Sequence, residues 1–171
     1  PGKFEAIRAA AEERYGTNAR PEAILLTHGH PDHVGSALAL ATFWNVPVYA
    51  HRMELPYLTG KADYPPVDPT VGGFVGQMSR FLPGEPADLS AVVQALPDDG
   101  TVPGSADWQW ILTDGHSPGN VTFFREENRV AIVGDAFATM DLDRPLRVLT
   151  KAPRLSRPPA MATYDWLAVR K

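Results

Sequence analysis

An α/β domain is the fold class that this sequence predicts, on three observations. Residues 22–50 read as a strand, a loop, a helix and a second strand in direct succession. Residues 108–133 hold three further strand-like runs, the last two joined as a hairpin. The chain has 171 residues, 44% of them hydrophobic, which is enough for one domain with a real core.

Taken in order, Phe4, Ile7 and Ala10 or Ala11 recur at helical spacing among charges, predicting an amphipathic surface helix from Lys3 to Arg14 that Gly16 ends. Asn18 to Pro21 is a turn, and Glu22 to Thr27 is a strand built on Ala23-Ile24-Leu25-Leu26. Ser36 to Trp44 has strong helix-forming character, Asn45 can terminate it, and Val46 to Ala50 is the next strand. His51 ends that strand, where a lone histidine is expected to be a hydrogen-bonded structural residue rather than a metal ligand.

Between Leu55 and Pro86 prolines and glycines dominate, and Pro65-Pro66, Pro69 and Gly72-Gly73 argue against long regular structure before Phe74. Tyr57, Tyr64 and Phe74 favour an ordered loop there, and the composition leaves a lid over the site and a linker both open. Phe74 to Leu82 predicts a short helix with Phe74, Met78 and Phe81 turned inward. After the turn-rich stretch from Gly100 to Asp107, Trp108 to Thr113 is a strand. Val121 to Arg125 and Arg129 to Val133 then form the hairpin around Glu126-Glu127-Asn128. Thr163 opens a last helix carrying Trp166, Leu167 and Val169.

The net charge of -4 gives no general attraction for phosphates, so a nucleic-acid partner is not expected. No apolar run is long enough to span a bilayer, so no membrane partner is expected either. The lack of cysteine removes any disulfide framework and is compatible with the cytoplasm, the expected location. Nothing in the sequence sets an oligomeric state.

The chemistry concentrates in Thr27-His28-Gly29-His30-Pro31-Asp32-His33-Val34-Gly35, at the strand-to-helix loop. Imidazole nitrogen and carboxylate oxygen suit a borderline cation such as zinc, and without thiols the usual closed structural zinc sites are unavailable. His28, His116 and Asp135 each lie just past a predicted strand end, the shared placement that a convergent metal site requires.

His28-x-His30-x-Asp32-His33 resembles the signature of the metallo-β-lactamase-fold hydrolases, a superfamily of αββα sandwiches with a mono- or dinuclear metal site. Two later pieces resemble it in order and spacing. Asp114-Gly115-His116-Ser117-Pro118-Gly119-Asn120 is similar to the third metal-histidine loop, and Val133-Gly134-Asp135-Ala136 to the bridging-aspartate loop. Leu55 to Gly73 resembles an insert found in a broad group of bacterial members. The resemblance implies a single αββα domain over residues 1–171 with a Pro/Gly-rich insert at 55–86, incomplete at both termini. Nothing corresponds to the strands that members place before the first helix, and no histidine follows His116 to match their glycine-histidine-glycine loop.

The resemblance also implies the site. His28, His30 and His116 would hold one metal, Asp32 and His33 a second, and Asp135 would bridge the two. The implied cofactor is zinc, as one or two ions, with iron or manganese as alternatives. Neutral imidazoles leave such an ion Lewis acidic, and a bound water with a pKa lowered to about 7 is a hydroxide nucleophile. Asp32 would also orient that water, acting as a catalytic residue. The implied activity is hydrolysis of an ester, thioester, lactone or amide in a small-molecule substrate; the fold itself names no substrate. Asn120 stands where many such hydrolases carry another histidine and is read as an oxyanion donor to substrate or as a loop cap. Tyr64 is the other candidate substrate-binding residue. An iron-dependent dioxygenase or oxidoreductase on the same ligands, and an inactive metal-binding fragment, are the alternatives. With no later histidine, the second metal has at most three protein ligands, so the first site is expected to be the firmer.

Overall fold

Helix α1 (Phe4–Tyr15) stops at Gly16, whose φ of 98° lies where a side chain is disfavoured and whose N–H returns to Glu12 O. A computed structural model describes residues 3–64, 88–141, 149–150, 153–158 and 162–170. The expected helix from Phe74 to Leu82, like the lid or linker beyond Tyr64, lies outside the described residues. Phe4 meets Phe43 edge to face at 5.5 Å, and Phe4 and Ala11 pack on the buried cluster of Leu40, Trp44 and Val46. Helix α1 is therefore a surface helix held by one apolar stripe.

Strands β1 (Ile24–Leu25), β2 (Val48–Ala50) and β3 (Val93–Ala95) form a parallel sheet in that order. The short helix α2 (Pro31–Val34) and then α3 (Ala37–Trp44) connect β1 to β2. Asn45 ends α3 in the left-handed conformation, φ 52°, which asparagine tolerates better than most residues. Strand β3 is not foreseen by the sequence analysis: three residues after a polar turn are too few to display a period. Between β2 and β3 come a 3₁₀ turn (Arg52–Glu54) and helix α4 (Leu55–Leu58), each about one turn long.

Strands β4 (Trp108–Leu112), β5 (Val121–Arg125) and β6 (Val130–Ile132) form an antiparallel sheet, also in order. Side-chain alternation then builds the layers. Ile24, Leu26, Val48 and Ala50 face Val34, Ala37, Ala41, Leu58 and Leu89 on the helical side. Leu25 and Tyr49 point the other way, against Val121, Phe123, Trp108 and Trp110 of the second sheet. Helices, parallel sheet and antiparallel sheet thus stack as three layers of the sandwich among the described residues.

The seam between the sheets positions the site. Leu26 N–H still donates to Tyr49 O at 2.9 Å in the parallel sheet, but one residue on, Thr27 O accepts from Val121 N–H of β5 at 2.9 Å. The chain leaves one sheet for the other at the residue before His28. The C-terminal segment differs from expectation. Instead of a helix from Thr163 there are turns and a 3₁₀ turn (Ala168–Arg170). The Asp165 carboxylate accepts the N–H groups of Leu167 and Ala168 at 2.8 and 3.0 Å, the pattern of an N-cap, so the helical turn opens after Asp165 rather than at Thr163.

Leu58 is 1% exposed and sits in the helical-side core. Leu58→Ala is expected to lower the unfolding free energy by about 2–5 kcal/mol, read from the denaturant midpoint with an unchanged slope.

Candidate metal centre

The loop after β1 folds as it does because Pro31 opens α2 at the first helical position, leaving His30 as the extended residue before it. His28 and His30 therefore project from a non-helical backbone, and His33 from the last turn of α2. His116 arrives on a second loop, between β4 and β5. Asn120 closes that loop: its Nδ2 donates to Thr113 O at 3.2 Å and to Thr113 Oγ1 at 2.9 Å, while Thr113 N–H donates to Asn120 O at 2.8 Å. The C-terminal turn leans on the same loop, with Tyr164 and Asp165 N–H both donating to Gly115 O at 3.0 Å.

These loops bring the side chains together. The rings of His28, His30 and His116 stand mutually near-perpendicular, with centroids 4.7 to 4.8 Å apart. Their ligand atoms form one group and those of His28, His33 and Asp135 a second, each group within 4.8 Å. His30 Nδ1 and His116 Nε2 lie 2.9 Å apart, and His116 Nε2 lies 3.3 Å from Asp135 Oδ2. His33 Nε2 is 3.5 Å from Asp135 Oδ1 and 3.7 Å from Asp32 Oδ2.

Electrostatics favour the ligating form. Burial first, then the imidazoles of His33, His30 and His116, pushes His28 far below its ordinary pKa. His116 is pushed down to about 4, by burial and then by His30. Burial also lowers His30, against the opposing pull of Glu54, Asp32 and Asp135. All three rings are therefore neutral near pH 7 and offer lone pairs. His33 is different: its hydrogen bond to Asp135 raises it, with burial acting the other way. For Asp135 burial acts upward, but the His33 bond and the surrounding imidazoles outweigh it and hold the carboxyl below its ordinary range.

The residues fit a metal ion. His28 Nδ1 is engaged at 3.2 Å by Thr27 Oγ1, and its Nε2 is buried with no hydrogen-bond partner among the described residues. A buried orphan of this kind calls for an explanation, and an ion is one of the standard ones. Two neutral ring nitrogens facing each other at 2.9 Å need a shared proton or a shared cation, and tetrahedral zinc with bonds of about 2.0–2.1 Å sets its ligands at a comparable spacing, about 3.3 Å.

Of the residues expected from the sequence, His28, His30, His33, His116 and Asp135 converge. Asp32 does not join either group: it occupies the first turn of α2 with its side chain 77% exposed, at the rim beside His33. Asn120 is fully buried with its amide hydrogens spent on Thr113. Tyr64 lays its ring 4.6 Å from His30 and stacks on Tyr57 at 4.1 Å, while its hydroxyl donates to Glu54 Oε2. Burial and then the Glu54 carboxylate hold that phenol above its ordinary pKa. His51 has the structural role expected of it: its Nδ1 accepts from Met53 N–H at 3.4 Å, capping the 3₁₀ turn, and it belongs to neither ligand group.

Sequence reasoning missed Glu54. It is fully buried and accepts from Gly29 N–H at 2.9 Å, Ser117 Oγ–H at 2.7 Å and Gly119 N–H at 2.6 Å, besides Tyr64. The only sequence hint is glycine in both histidine loops. A Cβ on Gly29 would lie 2.7 Å from Leu58 Cδ2 and overlap Tyr64 Oη, and one on Gly119 would lie 2.8 Å from Glu54 Cγ.

Neutral imidazoles gathered at the strand ends of a layered α/β fold make a candidate metal centre. The chain belongs to the metallo-β-lactamase superfamily, whose family model matches residues 2–170. It is 44% identical over 156 residues to the probable metallo-hydrolase YflN of Bacillus subtilis, covering 91% of this chain and 59% of that protein. To the probable metallo-hydrolase YybB of the same organism it is 33% identical, over 74% of this chain and 51% of that one. The chain thus spans between about half and three-fifths of these relatives' lengths. Among solved structures it is similar to the BLEG-1 B3 metallo-β-lactamase, with a TM-score of 0.60 and 28% identity over 84% of this chain and 62% of that one. It is also similar to TTHA1623 in a di-iron-bound form, with a TM-score of 0.59 and 26% identity over 99% of this chain and 71% of that one.

Asp135→Ala is expected to lower bound metal per chain, whereas His51→Ala leaves it near normal; elemental mass spectrometry of the purified variants measures both. Equal loss in the two would contradict the separation of His51 from the ligands.

Proposed function

We propose that the protein carrying this chain is a metal-dependent hydrolase of small-molecule esters, thioesters, lactones or amides, with zinc as its metal. The observation that carries this reading is the converging trio His28, His30 and His116, the first and last buried and His30 half-buried, all neutral, with His28 Nε2 unsatisfied among the described residues. The naming of YflN and YybB as probable metallo-hydrolases supports it. A zinc ion held there would supply Lewis acidity and a water that ionises near neutral pH.

The chain's own residues take the remaining roles. His28, His30 and His116 would hold the first ion; His33 and Asp135 would contribute to a second, Asp135 lying within reach of both His33 and His116. Asp32, exposed at the rim beside His33, would accept a hydrogen bond from an incoming water and orient it. Tyr64 offers substrate its ring, since its hydroxyl is committed to Glu54. Asn120 is assigned to holding the His116 loop rather than to donating to substrate, because both amide contacts are internal. The chain's net charge of -4 favours neutral or cationic small molecules over polyanions.

Iron is the second reading, and the di-iron-bound form of TTHA1623 is the observation that favours it. Metal analysis and oxygen dependence separate the two. Zinc at about two ions per chain in the full-length protein, with hydrolysis of an aryl ester or thioester lost on chelation and restored by zinc, is the expected result. Iron with oxygen consumption would replace hydrolysis by oxidation, and a metal-free protein would end both readings.

A further inference from the structure

Glu54 is a carboxylate with no solvent contact, and a buried charge is costly unless its oxygens are hydrogen-bonded. Here all the usual acceptor positions are used. Oε2 accepts from Gly29 N–H and Tyr64 O–H, and Oε1 from Ser117 O–H and Gly119 N–H. A carboxylate offers about four such positions, so the set is complete. The partners are not scattered. Gly29 lies between His28 and His30, Ser117 follows His116, and Tyr64 packs its ring on His30. One side chain, outside both ligand groups, is thus bonded to each loop that carries a first-site histidine.

We infer that Glu54 is the positioning residue of the metal centre, setting the spacing between the His28/His30 loop and the His116 loop before any ion binds; this rests on the metal-centre reading above. Each oxygen takes one backbone N–H, from Gly29 on one side and Gly119 on the other, and a backbone donor cannot reverse. Glutamine preserves size and shape but can satisfy only one of the two. Whichever way its amide turns, an N–H meets the N–H of Gly29 or of Gly119. That leaves a buried donor unpaired and pushes one histidine loop away from the other. Serine and tyrosine hydroxyls can rotate to accept instead, so the two glycine amides make the carboxylate indispensable.

A residue that only stabilised the fold would change melting and leave the metal's coordination alone. The test is titration of the full-length metal-free protein with Co2+, followed by the visible absorption band and by calorimetry, in the wild type, Glu54→Gln and His51→Ala. The wild type is expected to bind Co2+ with a tetrahedral-type band. E54Q is expected to keep a cooperative melt yet bind Co2+ about 10–100-fold more weakly with an altered band, the range seen when residues supporting metal ligands are replaced. H51A removes the neighbouring cap and should lower the melting temperature without moving the band. Unchanged affinity and band in E54Q would overturn the inference while leaving the metal centre intact. A wild type that binds no Co2+ would overturn the metal-centre reading and this inference with it. Should E54Q fail to fold, Glu54→Asp, which keeps both acceptor oxygens but shortens their reach toward the two glycine amides by one methylene, is expected to weaken Co2+ severalfold with an altered band; an unchanged affinity and band there would overturn the inference equally.

Discussion

The hydrogen bonds that the Glu54 carboxylate accepts from Gly29 and Gly119 are what the rest of the site depends on. His30 and His116 are 86 positions apart in the chain, yet their ring nitrogens stand 2.9 Å from each other. Two loops of independent origin do not hold such a distance through the hydrophobic effect alone, because that force is non-directional. Directional bonds supply it: the shared carboxylate behind the loops, and the strand switch in front, where Thr27 O meets Val121 N–H. The sandwich therefore serves the site in a specific sense, by bonding the end of the strand before His28 to the start of the strand after His116 across the two sheets.

Burial and charge then divide the cluster. The first-site imidazoles sit where desolvation strips their protons, so they meet a cation as neutral ligands without a competing proton to expel. His33 and Asp135 pair with each other, a softer and more exposed arrangement with side chains 30% and 27% accessible. An ion at either position must displace a pairing, His33 with Asp135 at the second and His30 with His116 at the first, but the first lies among the more deeply desolvated rings. The two positions are unequal on this chain's own geometry.

Much of this was legible in the sequence, for identifiable reasons. The helix over residues 4–15, the Asn45 terminus and the 121–132 hairpin follow from periodicity and turn chemistry, which are local. The density of histidine after an apolar strand marked the site, and the position of His51 at a strand end marked it as a hydrogen-bonded structural residue rather than a ligand. The rest depended on long-range facts. Glu54 stands in an unremarkable Arg-Met-Glu-Leu-Pro run, and its burial follows from contacts with residues 25 and 65 positions away. Asp32 shares a motif with the histidines, but the pitch of α2 turns it toward solvent. Asn120 read equally as oxyanion donor or loop cap until its partners at Thr113 were in view. The C-terminal helical turn opens later than the sequence suggests for a local reason that periodicity does not register, the Asp165 side chain capping the turn that follows it.

The central claim is that His28, His30 and His116 share one ion. The most direct measurement is anomalous diffraction at the zinc edge from crystals of the full-length protein grown with zinc. The account predicts a peak bonded to His28 Nε2, His30 Nδ1 and His116 Nε2 at about 2.0–2.1 Å. A peak elsewhere, or three imidazoles hydrogen-bonded to one another with no anomalous density between them, would contradict it.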